Sequence, residues 1–265
     1  MSDPSLRPGA SFACLLLAAA CTPQSFELTR EQVAGVADGP RISHDPPPGT
    51  AGRMAHHFAD VRAIEEAVIA GDLYGVRSPA RRLVERTDPY PESWRPHVAG
   101  NLRLAEAALA ARSLEDAARA AAGLVDNCGE CHAAVGLGPE LVAAGLPPSD
   151  PEAPSTMLRH QWAADRLRDA LLTRGDPAWR AGAEALAGAP LRSSALPAEV
   201  NDPAQFDALA TRVHELGGRA RTSAAWPARA ALYGELLTTC AACHRGLVAS
   251  RTPYIADSTR RAEAE

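Results

Sequence analysis

Residues 54–69, MAHHFADVRAIEEAVI, and residues 157–172, MLRHQWAADRLRDALL, align without a gap at an offset of 103. The register pairs Met54 with Met157, His57 with His160, Val61 with Ala164, Ile64 with Leu167 and Val68 with Leu171. From each histidine the apolar partners stand 4, 7 and 11 residues on. At about 100° per residue these spacings share one helical face, so each segment predicts an amphipathic helix with its histidine toward the core. His56 points about 100° away from His57 and is expected to be exposed. Two copies of one unit organise the chain.

The copies extend toward the C-terminus. CGECH at 128–132 and CAACH at 240–244 are offset by 112, and Leu124 and Val125 match Leu236 and Leu237 in the same register. The second copy is therefore longer by 112 minus 103, or nine residues. Each copy reads as four helices. In the first, helix A runs from Met54 to Ala70 and stops at Gly71, helix B opens at Ser78-Pro79, helix C covers Trp94 to Ala111, and helix D opens at Ser113 with the capping-box pattern SLED. In the second they fall at 157–173, 177–187, 203–220 and 227–248, with Asp176-Pro177, Asp202-Pro203 and Pro227 marking starts. Short connections imply antiparallel neighbours. The expected fold is all-α, two tandem antiparallel four-helix bundles over 51–138 and 156–252, joined by a linker at 139–155.

Each C-x-x-C-H is the signature of c-type haem attachment, in which two thiols bond the vinyl groups and the adjacent histidine takes an axial position on iron. Two occurrences, with Cys14 and Cys21 the only cysteines besides these four, make coincidence a poor account. A four-thiolate zinc site would need the two cysteine pairs to meet, and a thioredoxin-like motif would need a βαβ surrounding; the alanine-rich helical context supplies neither. The expected cofactors are two covalent haem c groups, on Cys128, Cys131 and His132 and on Cys240, Cys243 and His244, each near the end of its last helix.

Only 21 residues follow His244, none of them methionine, so a sixth ligand must come from upstream. An antiparallel bundle sets the end of helix D beside the start of helix A. His57 and His160 are the expected ligands; Met54 and Met157, three residues earlier on nearly the same face, or an open position, are the alternatives. Asp60, Glu65 and Asp165 fall off the core face by helical periodicity, which leaves no catalytic carboxylate beside either histidine. Arg245 is placed to meet a haem propionate.

Composition agrees with helices. Of 265 residues 46% are apolar but 5% aromatic, alanine is abundant, and all 27 basic residues are arginine. A formal charge of -5 lacks the polycationic pattern of a nucleic-acid binder. The opening MSDPSLRPGASFACLLLAAAC holds an apolar run from Phe12 to Ala20, too short to span a bilayer and suited to an export signal over 1–20. Ala18, Ala19 and Ala20 before Cys21 resemble the cleavage box of bacterial lipoproteins, which implies lipidation of Cys21; simple secretion is the alternative. Residues 21–50, with prolines at 46, 47 and 48, read as a flexible tether, and 253–265 as a charged tail.

The helix plan with C-x-x-C-H at the end of the last helix resembles the class II c-type cytochromes, the cytochrome c-prime family, over 54–135 and 157–248. That family is five-coordinate with an apolar residue at the helix A position, or six-coordinate with methionine there. This chain offers histidine instead, and two units. That departure from the family suggests bis-histidine low-spin haems, and with both axial positions filled the expected role is an electron carrier rather than an enzyme, of lower potential than a methionine-ligated relative. A haem-based gas sensor and a di-haem peroxidase are the rival readings. Redox proteins are the expected partners, on the periplasmic side of a Gram-negative membrane reached through the lipid anchor.

Overall fold

The computed structural model describes residues 49–141, 145–147, 153–188, 191, 193–195 and 202–249. Cys14, Cys21, the export signal, most of the tether and the charged tail lie outside the described residues. Eight α-helices form the described chain: α1 (Thr50–Ile69), α2 (Arg77–Glu85), α3 (Arg95–Leu109), α4 (Leu114–Val135), α5 (Ala153–Thr173), α6 (Asp176–Leu186), α7 (Pro203–Thr222) and α8 (Trp226–Ala249). Short 3₁₀ turns precede α3 and α7, and no strand occurs among the described residues. The chain is all-α. No helix among them is long and apolar enough to cross a membrane.

Local chemistry sets most boundaries. Ser113 caps α4, its Oγ accepting from the Asp116 amide at 3.1 Å, and Asp202 caps α7 by accepting from Gln205 at 2.9 Å. Gly136, at φ 67°, ends α4 one turn past His132 in the left-handed conformation that glycine adopts without strain. Two expected starts differ. α2 is entered from Val76, and Ser78 lies inside it with its Oγ accepting from Arg82, because a tight turn at 72–77 leads directly into the helix. α6 is entered from Gly175, which leaves Asp176 in the first turn, where it accepts from Arg229 at 2.6 Å. α1 and α5 also begin four residues before Met54 and Met157, so α5 starts inside the expected linker.

Neighbouring helices within each half run antiparallel. Asp60 of α1 meets Arg82 of α2 and Arg86 just beyond its end, Asn127 of α4 meets the His97 carbonyl and Asn101 of α3, and Trp179 of α6 donates to the Ala220 carbonyl of α7 at 2.8 Å. The halves are not independent of each other. One buried cluster contains Ile64, Val68, Leu124 and Val125 together with Leu167, Leu171, Leu236 and Leu237. α4 lies along α8, α1 touches α8, and α4 touches α5.

The alanine content is explained by this junction. Ala117, Ala118, Ala120, Ala121 and Ala122 are all buried, since α4 is covered by helices of both halves. A Cβ at Gly234 would stand 3.5 Å from that of Ala122, and these two residues are equivalent at the offset of 112. Small side chains there let the two backbones approach. Arg62 and Asp165, equivalent at the offset of 103, pair at 3.2 Å; Glu65 and Arg168, equivalent in the same register, face each other at 3.9 Å. Contacts between equivalent positions are what an approximate twofold axis between the halves produces.

Candidate functional site

The last turns of α8 carry Cys240, Cys243 and His244 to one wall of a cavity of about 390 Å³. Met157 and His160, from the beginning of α5, line the same cavity, so antiparallel α5 and α8 bring together five residues separated by up to 87 positions. The volume lies in the range of pockets that hold cofactors, roughly 300–1,000 Å³. Ile69, Leu186, Phe206, Val213 and Leu236 supply apolar walls, whereas Glu65, Arg168 and Tyr233 supply a polar side. Two thiols and an imidazole on one wall, and a second imidazole with a thioether on another, fit an apolar metal-centred macrocycle.

The motif histidines are held across the halves. His132 donates from Nδ1 to the carbonyl of Leu172 at 3.2 Å, and the His244 ring donates to the carbonyl of Ile69. Ile69 and Leu172 are themselves equivalent at 103, so each half orients the histidine of the other. A carbonyl only accepts, hence Nδ1 of His132 carries the hydrogen and Nε2 keeps its lone pair. This is the tautomer that a metal-ligating histidine needs. Burial pushes the pKa of both imidazoles down, which keeps them neutral.

Burial also raises the thiols, Cys128 and Cys240 to about 12 and Cys131 and Cys243 to about 11. Thiols held protonated lack the low pKa of a thioredoxin-type nucleophile. Among the described residues no group of three or more His, Cys, Asp or Glu stands together so as to hold a metal ion. No disulfide joins the four described cysteines.

His57 and His160 differ in their surroundings. His160 faces the cavity, and burial lowers its pKa. His57 is half-buried, with Nε2 3.0 Å from Tyr90 Oη and 3.4 Å from Asp88, so the loop before α3 engages it. Its pKa is lowered by burial and by Arg86, against the opposing pull of Asp88. Cys128 stands with Sγ 3.8 Å from Asn101 Oδ1, and Asn127 donates to the same oxygen at 2.8 Å. His56 is exposed. Arg245 is also exposed at the side-chain level, with its methylenes over Gly71.

The helical wheel placed Asp60 and Glu65 off the core face, and the structure corrects this: both are buried, at 5% and 2% exposure. α1 is covered on more than one side. Arg82 of α2 and Arg86, the residue after that helix, close over Asp60, donating to its two oxygens at 2.7 and 2.8 Å. Tyr233 of α8 donates to Glu65 at 2.9 Å, and Arg168 of α5 stands beyond. Asp165 also lines the cavity. A signal for these residues was present in the repeat alignment, where Arg62 opposes Asp165 and Glu65 opposes Arg168 with inverted charge. Equivalent positions of opposite sign can pair only if the copies meet face to face.

Comparison of the chain with protein-family models, with curated proteins and with solved structures finds no match at a significant level.

Proposed function

We propose that this protein is an exported di-haem c-type cytochrome that transfers electrons, built as two tandem antiparallel four-helix bundles of the class II type fused along a shared core. The observation that carries the reading is the single cavity joining Cys240, Cys243 and His244 to His160. Attached haem would supply a one-electron iron couple. Cys128 and Cys131, and Cys240 and Cys243, would tether the groups. His132 would present Nε2 to iron, fixed in tautomer and orientation by the Leu172 carbonyl, and His244 would be oriented by the Ile69 carbonyl. His160 would supply the further ligand to iron at the second site, with Met157 the neighbouring alternative. The buried leucines and alanines around the motifs exclude water, which lowers the reorganisation that electron transfer requires. Anchoring through Cys21 on the periplasmic side, and redox proteins as partners, complete the proposal.

A second reading applies to the first site alone. Because Tyr90 and Asp88 engage His57 Nε2, the first haem would keep an open or easily vacated position and could bind a small gas. Absorption spectra of the protein matured with haem, oxidised and reduced, with and without carbon monoxide, test both readings. Two low-spin haems silent to carbon monoxide support an electron carrier with two histidine pairs. One responsive haem supports the mixed reading, and a protein that attaches no haem overturns both.

A further inference from the structure

Glu65 occupies a position that electron transfer by two haems does not by itself explain. It is 2% exposed on α1, where α1 meets α5 and α8. Its carboxylate accepts from Tyr233 Oη at 2.9 Å and lines the cavity that holds Cys240, Cys243, His244 and His160. It also acts electrostatically on Cys128 of the first motif. One carboxylate therefore lines the second site, and its charge reaches Cys128 of the first.

The surrounding charges do not require it to be ionised. Arg168 has Asp165 at 2.7 Å and Asp169 at 3.1 Å, Arg62 has Glu66 at 3.1 Å and Asp165 at 3.2 Å, and Arg166 pairs with Asp169. Three arginines thus stand among four carboxylates, Glu65, Glu66, Asp165 and Asp169. Each arginine is engaged by a carboxylate other than Glu65, whose nearest cation is Arg168 at 3.9 Å. A buried carboxylate without a close cation of its own favours the neutral form. Burial raises the Glu65 pKa to about 7, against the opposing pull of Arg168, Arg62 and the Tyr233 hydroxyl, with Asp165 adding to the rise. Glu66, on the rim of the same cavity, is 44% exposed and gives the site an edge at solvent.

We propose that Glu65 is a proton acceptor shared by the two haem sites, protonated when an iron is reduced and deprotonated when it is oxidised. The assignment rests on the di-haem reading. With haem attached and reduced by one electron from a redox partner protein, Glu65 would take a proton from solvent on a carboxylate oxygen to give the carboxylic acid. The negative charge added at iron is compensated by the charge removed at Glu65, and oxidation reverses both changes. The Tyr233 hydroxyl can remain hydrogen-bonded to either form.

The test is a mediated redox titration of the full haem-loaded protein, followed by absorbance, from mildly acidic to mildly alkaline solution. In the wild type the midpoint potentials should fall as pH rises, because proton uptake favours reduction. In Glu65→Gln, which keeps the shape and an acceptor for Tyr233, they should be flat with pH. In Tyr233→Phe the slope should persist but move to more alkaline solution, since the carboxylate loses a donor. Flat wild-type potentials, or a slope that survives in Glu65→Gln, would overturn the assignment while leaving the haems in place. Should Glu65→Gln fail to fold, Tyr233→Phe decides, an unmoved slope overturning it. A protein that attaches no haem refutes the di-haem reading itself.

Discussion

His132 Nδ1 lies 3.2 Å from the carbonyl oxygen of Leu172, a residue 40 positions away in the other half of the chain. The reciprocal contact, from the His244 ring to the Ile69 carbonyl, closes the exchange. Each candidate proximal ligand is oriented by the last turn of a helix whose first turns carry the other site's residues: α5 has His160 near one end and Leu172 near the other. A shift of α5 along its axis would therefore be felt at both sites.

Replacing His160 by alanine should turn the second haem high-spin and open it to carbon monoxide, because His160 is the imidazole of α5 that lines the cavity with Cys240, Cys243 and His244. His57→Ala should change the first haem less, since Tyr90 and Asp88 already engage the histidine. Absorption and electron paramagnetic resonance spectra of the two variants check this. Equal, complete conversion of one haem in each would show that His57 is a ligand as firm as His160.

Gly129→Ala should destabilise the fold and disturb the first site. A Cβ at Gly129 would stand 1.9 Å from the Leu171 carbonyl oxygen, and a backbone atom cannot swing aside. Overpacking of this kind costs about 3 kcal/mol, more than the roughly 1 kcal/mol that alanine contributes over glycine in a helix. A net loss of about 2 kcal/mol lowers Tm by about 4–8 °C in a protein of this size. Gly218→Ala is the control, for a Cβ on this exposed position of α7 would meet nothing within 4 Å, and it should leave Tm unchanged or slightly higher.

The folded-state pKa of Glu65 is raised above its ordinary 4.5 to about 7. A carboxyl so shifted favours folding fully below its unfolded pKa, and that contribution is lost as pH rises through the folded value. The shift corresponds to about 3 kcal/mol. The stability of Glu65→Gln relative to the wild type should therefore improve between mildly acidic and mildly alkaline solution, read from denaturant midpoints. A difference that does not change with pH would mean that Glu65 stays ionised throughout.

Arg168→Met should cost about 3–5 kcal/mol near neutral pH, as expected for removing one member of a buried charge network. It leaves Glu65, Asp165 and Asp169 facing one another with Arg168 gone. Glu65 and Asp169, whose pKa values burial already raises, then lose the cation that opposes the rise, so the loss should shrink on acidification. Thermal melts in mildly acidic and neutral buffer measure it.

The helices, the two copies and the residues of both C-x-x-C-H motifs were legible in the sequence because each depends on local spacing. Ser113 and Asp202 cap their helices as their side chains permit. Ser78 does not, since a turn held by Asp72 reaches the helix first. Helical periodicity also failed at Asp60 and Glu65. A wheel assumes one buried face, and α1 is covered by α2 on one side and by α5 and α8 on another.

The sequence by itself determined that the chain is helical, that it repeats, and where its two C-x-x-C-H motifs and the paired His57 and His160 stand, because covalent order and a 3.6-residue period are enough for those. Tertiary structure alone decided that the halves share one core, that Leu172 and Ile69 orient the histidines of opposite motifs, and that Glu65 of the first half is buried against Tyr233 in the cavity of the second motif. These depend on which helices meet across the junction, and that is set by the fit of Ala118, Ala122 and Gly234 and by charges complementary only after the two copies are brought face to face.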